Sequence, residues 1–140
     1  MKVAYNNCFG GFSLSPTAEH EYRKKKGINL TWYEELEGGG YKRINDISTL
    51  SEFKGIFLIS SNADLGEKVK KIPDDNFFYE SFYGDKNRSD PDLIEVIERL
   101  GEKANGHCAK LAIEEIPDGA EFEITEYDGN EDVVPPRMSW

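Results

Sequence analysis

Two groups of side chains in this sequence have types and spacings that could do chemistry. The first is the run Asn6-Asn7-Cys8-Phe9-Gly10-Gly11-Phe12-Ser13. A strand, a glycine turn and a helix N-terminus in succession can turn backbone N–H groups toward an anion. Asn7, Phe9, Gly10, Gly11 and Ser13 are then candidate contacts to a phosphate or nucleotide, with Phe9 or Phe12 stacking on a base. Arg88 is the candidate cation for the same ligand, because a guanidinium grips phosphate or carboxylate through two parallel hydrogen bonds. Each feature has a plainer alternative. The glycines can serve a structural turn, since no GxGxxG or Walker lysine accompanies them. Arg88 can pair with Asp85, Asp90 or Asp92. The second group is the set Glu114, Glu121 and Glu123, which alternation places on one face of two short strands. Like charges on adjoining strands repel, so that face must be solvated or matched by a basic protein partner.

Other reactive residues offer less. Cys8 could act as a nucleophile with His20 or His107 as base, or be a small buried hydrophobe. His107 and Cys108 are neighbours, and on a strand they would point to opposite faces, which speaks against a shared metal. Glu114, Glu115, Glu121 and Glu123 could hold a divalent cation or supply a carboxylate pair, against the alternative of a solvated acidic face. Trp32 and Trp140 suit packing, although an exposed Trp140 would mark a contact site. No catalytic residue, metal ligand or cofactor is assigned on this basis.

The elements that must position these groups follow from periodicity and turn chemistry. Residues 2–6 (KVAYN) alternate as a first strand. Ser15-Pro16 is an N-cap followed by a first helical position, and that helix should reach about Lys26 and stop at Gly27. The basic run Arg23 to Lys26 then complements the helix dipole instead of forming a nucleic-acid patch. Residues 28–32 (INLTW) alternate as a strand, and Gly38-Gly39-Gly40 allows Tyr41–Ile44 to pair back as a hairpin. A helical turn should begin at Asp46 or Ser48 and run to Phe53. Gly55–Ser60 is the most apolar run and the candidate central strand, and 76–83 (NFFYESFY) is a further strand candidate.

The stretch from Asn87 to Gly129 is the clearest. Asp90 caps a helix opened by Pro91, with Leu93, Ile97, Leu100 and Ala104 at helical spacing. Asn105-Gly106 ends it, and Ala109, Leu111 and Ile113 begin an alternating strand. Pro117-Asp118-Gly119 then reverses the chain so that Phe122 and Ile124 share the buried face. The expected architecture is α+β: one compact domain over residues 1–140, a mixed or antiparallel sheet, about two main helices and a C-terminal β-hairpin.

Composition sets the wider bounds. The 140 residues suffice for one hydrophobic core, and 12% aromatic content argues for a globular fold. No apolar run approaches the ~18 residues of a membrane span, and no secretory leader is evident. Cys8 and Cys108 are too few for a disulfide framework, so both should be reduced thiols in the cytoplasm, with a single disulfide between them as the alternative. The net charge of −10 opposes direct binding to a nucleic-acid backbone. Residues 1–72 carry 11 basic and 9 acidic side chains, whereas residues 73–140 carry 6 and 18. The acidic half could face a basic protein partner, imitate nucleic acid, or simply keep the chain soluble.

The run Arg88, Asp90-Pro91-Asp92-Leu93, Leu100-Gly101, Ala104-Asn105-Gly106, then IxEIPDG and EIxEYDG resembles a family of small uncharacterised phage and prophage accessory proteins. The opening NNCFGGFSLSPTA is similar to the start of the same proteins, and residues 28–75 match less. The family's final Trp follows a His-Arg pair, where this chain reads Pro136-Arg137-Met138-Ser139-Trp140. The resemblance implies action in the host cell cytoplasm and supplies no reaction. It suggests a non-enzymatic protein that binds a host protein and interferes with antiviral defence. The alternatives are a sponge for an anionic, nucleotide-like small molecule and a small enzyme using Cys8 or the acidic cluster. Assembly as a homo-oligomer is compatible with the sponge.

Overall fold

In a computed structural model of the chain, which describes residues 1–52, 58–72 and 87–135, two capped helices cover a short antiparallel ladder. Strand β1 (Lys2–Asn6) pairs antiparallel with β6 (Leu111–Glu115), Ala4 opposite Ile113. Helix α1 (Pro16–Lys25) starts as the sequence directs: Ser15 Oγ accepts from the Ala18 N–H at 3.1 Å, Pro16 opens the first turn, and Gly27 follows with φ 81°. Helix α2 (Pro91–Leu100) is capped by Asp90, whose carboxylate accepts from the Asp92 N–H at 2.9 Å. Leu93, Ile94, Val96 and Ile97 of α2 join Ala4, Ala18, Tyr22 and Ala104 in the main core. Full burial of such aliphatic side chains stabilises the fold by ~1.5–3 kcal/mol each.

The two helices are also joined by polar contacts. Asp90 accepts from the Tyr22 hydroxyl at 2.7 Å and from Lys26 Nζ at 2.7 Å, so one N-cap carboxylate ties the start of α2 to the end of α1. Burial opposes its charge, yet the hydrogen bonds from Lys26, Tyr22 and the Asp92 N–H outweigh it and hold the Asp90 carboxyl below its ordinary value.

A second sheet has the order β4 (Leu58–Ser61), β2 (Thr31–Glu35), β3 (Tyr41–Arg43), β5 (Lys68–Val69), all neighbours antiparallel. Leu30, Trp32 and Leu50 form its core. The glycine-rich turn lets β3 fold back on β2 as expected, while the strand expected over 28–32 sits later, at Thr31–Glu35. Tyr33 is fully buried beside Trp32 because its hydroxyl is satisfied, donating to the Gly66 carbonyl and accepting from the Leu65 N–H, both at 2.9 Å. The turn at Ile47–Glu52 is a 3-10 helix opened by Asp46. The apolar run ending at Ser60 supplies β4, which stands at one end of this described order instead of its centre. The expected strand over 76–83, Gly55–Phe57 and Trp140 lie outside the described residues.

The hairpin at the C-terminal side is built from β7 (Glu123–Tyr127) and β8 (Asn130–Val134) around an Asp128-Gly129 turn. This differs in detail from the reversal at Pro117-Asp118-Gly119. That turn does form, but β6 pairs with β1 and β7 pairs with β8, so the strands on either side of it belong to different ladders. The β1 partner takes the β6 edge through five residue pairs, and β7 closes its own tight hairpin one turn later.

Candidate functional site

Asn6, at the end of β1, organises the corner where the N-terminal loop meets the hairpin. Its side chain donates to the Cys8 carbonyl at 2.6 Å and the Gly129 carbonyl at 2.8 Å, and accepts from the Lys110 N–H at 2.8 Å. A fully buried amide with both ends satisfied fixes three segments at once. The loop is correspondingly tight. The Asn7 N–H donates to the Lys110 carbonyl at 2.8 Å and the Gly10 N–H to the Asp128 carbonyl at 3.1 Å. Gly129, at φ 87°, abuts the backbone of Gly10 and Gly11 so closely that a Cβ there would collide with both. Ser13 lies against Gly106, its carbonyl accepting from the Gly106 N–H at 3.0 Å and its hydroxyl donating to the His107 carbonyl at 3.4 Å.

Arg88 does converge on this loop, stacked beneath Phe12 with its guanidinium carbon 3.9 Å from the ring centroid. Its charge is turned inward. Both terminal nitrogens donate to Glu131, at 2.7 and 2.8 Å, and one also reaches the Ala4 carbonyl at 3.3 Å. Arg88 is 1% exposed and Glu131 4%. Glu131 further accepts from the Asn6 N–H at 2.8 Å. The ion-pair partner is therefore Glu131, on β8 and 43 residues away, and not Asp90 or Asp92. Asp90 is engaged by Tyr22 and Lys26, Asp92 by Lys26, and Asp85 lies outside the described residues. A fork-to-fork guanidinium–carboxylate pair at this depth joins β1, the segment before α2, and β8. Sequence reading had no signal for Glu131, because its partner is distant in the chain and its neighbours are acidic.

The loop thus brings Asn7, Phe9, Gly10, Gly11, Ser13 and Arg88 together while spending the Asn7 and Gly10 N–H groups and the Arg88 cation on internal partners. Asn7, Phe9 and Gly10 are exposed, and Phe9, at 57%, meets Tyr127 edge to face at 6.5 Å between centroids. Tyr127 is 79% exposed at the tip of β7.

Cys108 lies against Gly10 of the same loop. Cys8 and Cys108 are both free thiols. Cys108 sits in a turn at φ 63° and not on a strand, so the strand argument for separating it from His107 does not apply. His20 accepts a hydrogen bond from Trp32 Nε1 at 3.2 Å, joining α1 to β2, and burial pushes its imidazole below the ordinary value. No group of three or more His, Cys, Asp or Glu side chains among the described residues is placed to hold a metal ion.

The acidic group is arranged differently. Between Leu111 and Pro135 the chain carries nine Asp and Glu residues and no Lys or Arg. Glu131 is neutralised by Arg88, and Asp118 meets the N-terminal amine at 2.6 Å. Among the described residues none of the other seven lies within ion-pair distance of a basic group. Glu114 and Glu121 are exposed and border one groove of about 520 Å³, whose apolar lining includes Ile116, Phe122, Val133 and Pro135. Glu123 is exposed on the adjoining strand, and register places it on the same hairpin face as Thr125, Tyr127 and Asp132.

Compared with family models, curated proteins and solved structures, the chain matches none. No helix among the described residues is long and apolar enough to cross a membrane.

Proposed function

We propose that this chain is a non-enzymatic binding protein that captures a basic segment of a host protein, in keeping with its resemblance to phage accessory proteins. Interference with antiviral defence is the purpose that this resemblance favours. The observation that carries the reading is the groove bordered by Glu114 and Glu121. Apolar side chains line it, carboxylates border it, and no Lys or Arg lies within the 25 residues that build this region. An apolar cleft with unmatched charge at its rim suits a segment that places an aliphatic or aromatic anchor between Lys or Arg side chains. The carboxylates steer the encounter and the lining supplies the retained affinity.

The reading of the glycine loop as an anion site receives less support. Its Asn7 and Gly10 N–H groups and Arg88 already have internal partners, and Asp128 stands beside it. A synthetic peptide of alternating Arg and Leu is the direct probe. Reversal of Glu114, Glu121 and Glu123 to Lys should weaken its binding more than tenfold, since each close charge pair lost or reversed is worth on the order of 1 kcal/mol or more. A reversed variant that folds and binds the peptide as tightly as the native chain refutes the proposal.

A further inference from the structure

The Phe9–Tyr127 corner lies at the opposite end of the hairpin from that groove. Phe9 and Tyr127 are 57% and 79% exposed, and because the two rings touch each other they form one contiguous aromatic patch on the surface. Their positions are held by the backbone beneath. The Gly10 N–H donates to the Asp128 carbonyl, the Asn6 amide donates to the Gly129 carbonyl, and Gly129 packs directly on Gly10 and Gly11. Asp128 itself adopts φ 53°, so the turn that follows Tyr127 has a defined left-handed geometry. A rigid pair of rings loses little conformational freedom on binding.

The charge around the pair selects the ligand. Tyr127 is flanked by Glu126 and Asp128, and Glu123 and Asp132 share its hairpin face. An edge-to-face arrangement leaves one ring with its faces open to a planar cation. A contrasting groove of about 680 Å³, between the start of β1 and α2, lacks this unmatched charge. Its rim charges are already matched, Lys2 to Glu98 at 2.8 Å and Arg99 to Glu95 at 2.9 Å.

We infer that Phe9 and Tyr127 form an anchor for an arginine side chain of the same basic segment that enters the Glu114–Glu121 groove. This rests on the groove reading and adds a second contact to it. The strand β7 separates the two sites by ~13 Å, which an extended partner covers with about four residues. The partner segment therefore carries an apolar anchor for the groove and an arginine about four residues away, with the acidic face of β7 between them.

The probe is an extended peptide with a leucine-bearing basic end and one arginine about four residues distant, compared with the same peptide carrying neutral citrulline at that arginine. Fluorescence anisotropy gives the dissociation constants, with circular dichroism confirming the fold of each variant. Phe9→Ser and Tyr127→Ser should each weaken the arginine peptide about fivefold, the scale of a cation–aromatic contact. The same substitutions should leave the citrulline peptide and the salt dependence unchanged. Equal binding of the two peptides by the native chain, or Phe9→Ser and Tyr127→Ser variants that bind the arginine peptide normally, overturns the anchor. If Glu114→Lys/Glu121→Lys still abolishes binding in that case, the groove reading survives without it. Failure of the native chain to bind either peptide removes both.

Discussion

Removing Arg88 tests whether the corner under the glycine loop is held by a buried ion pair or only decorated by one. Arg88→Ala leaves the Glu131 carboxylate at 4% exposure with, among the described residues, only the Asn6 N–H as a hydrogen-bond donor. Breaking one side of a buried pair costs ~3–5 kcal/mol, and loss of the Phe12 stack adds ~0.5–2 kcal/mol. Together that is about 5 kcal/mol, comparable to the lower end of the total stability of a domain this size. At roughly 3 °C per kcal/mol for about 140 residues, the midpoint of thermal unfolding should fall by about 15 °C. Glu131→Gln separates charge from hydrogen bonding, because the Gln carbonyl can still accept from the Asn6 N–H while the negative charge opposite Arg88 at this position is removed. Unfolding of the native chain, Arg88→Met, Glu131→Gln and the double variant, followed by circular dichroism in urea, completes a cycle. A coupling of ~2 kcal/mol or more is expected for groups in one buried network. An Arg88→Ala variant within ~0.5 kcal/mol of the native chain, the behaviour of an exposed pair, would refute the reasoning.

Further predictions concern the joints of the fold. Asp90→Asn keeps an N-cap acceptor and should lose ~1 kcal/mol, whereas Asp90→Ala removes both the cap and the carboxylate that accepts from the Tyr22 hydroxyl and should lose ~2–3 kcal/mol, both read by urea unfolding. Gly129→Ala drives a Cβ into Gly10 and Gly11 and should cost ~2–4 kcal/mol, against ~1–2 kcal/mol for Gly119→Ala, where φ is 75° but the space is open. Similar losses at the two glycines would contradict the close packing. Because burial lowers the pKa of folded His20, the unfolded chain takes up the proton first as pH falls. The stability contributed by neutral His20 is then fully present above its ordinary value of 6.5 and is lost as pH falls from there through the folded-state value. The pH dependence of unfolding should flatten in His20→Gln, which can still accept from Trp32, and an unchanged dependence would count against the His20 assignment.

How much of this was legible in the sequence depended on the range of the interaction. Caps and turns are local, so Ser15-Pro16, Gly27, Asp90-Pro91 and the hairpin return of Tyr41 to Arg43 could be read directly. Leu93 and Ile97 followed from spacing along one helix, whereas Ile94 and Val96 are buried as well and α2 ends at Leu100, leaving Ala104 in the 3-10 turn Gly101–Ala104. Strand partners were harder, because alternation at Leu111–Glu115 fixes which face is buried but not which strand lies alongside. A local turn at Pro117-Asp118-Gly119 pointed to the neighbouring strand, while β1, more than a hundred residues away, takes that edge. Arg88 was recognised as a side chain of consequence, but its partner Glu131 is one carboxylate in an acidic run and carries no mark of its own. The acidic face was visible as Glu114, Glu121 and Glu123. Its association with an apolar groove depends on how β6 and the hairpin sit together.

The central claim is that a basic segment docks in the Glu114–Glu121 groove, and amide chemical-shift mapping with the Arg/Leu peptide tests it most directly. The expected map is concentrated at Glu114, Ile116, Glu121, Phe122 and Val133, saturates with peptide, and weakens as salt is raised. Absence of shifts at those residues, or a map confined to Asn7, Gly11 and Ser13 on addition of a nucleotide, contradicts it.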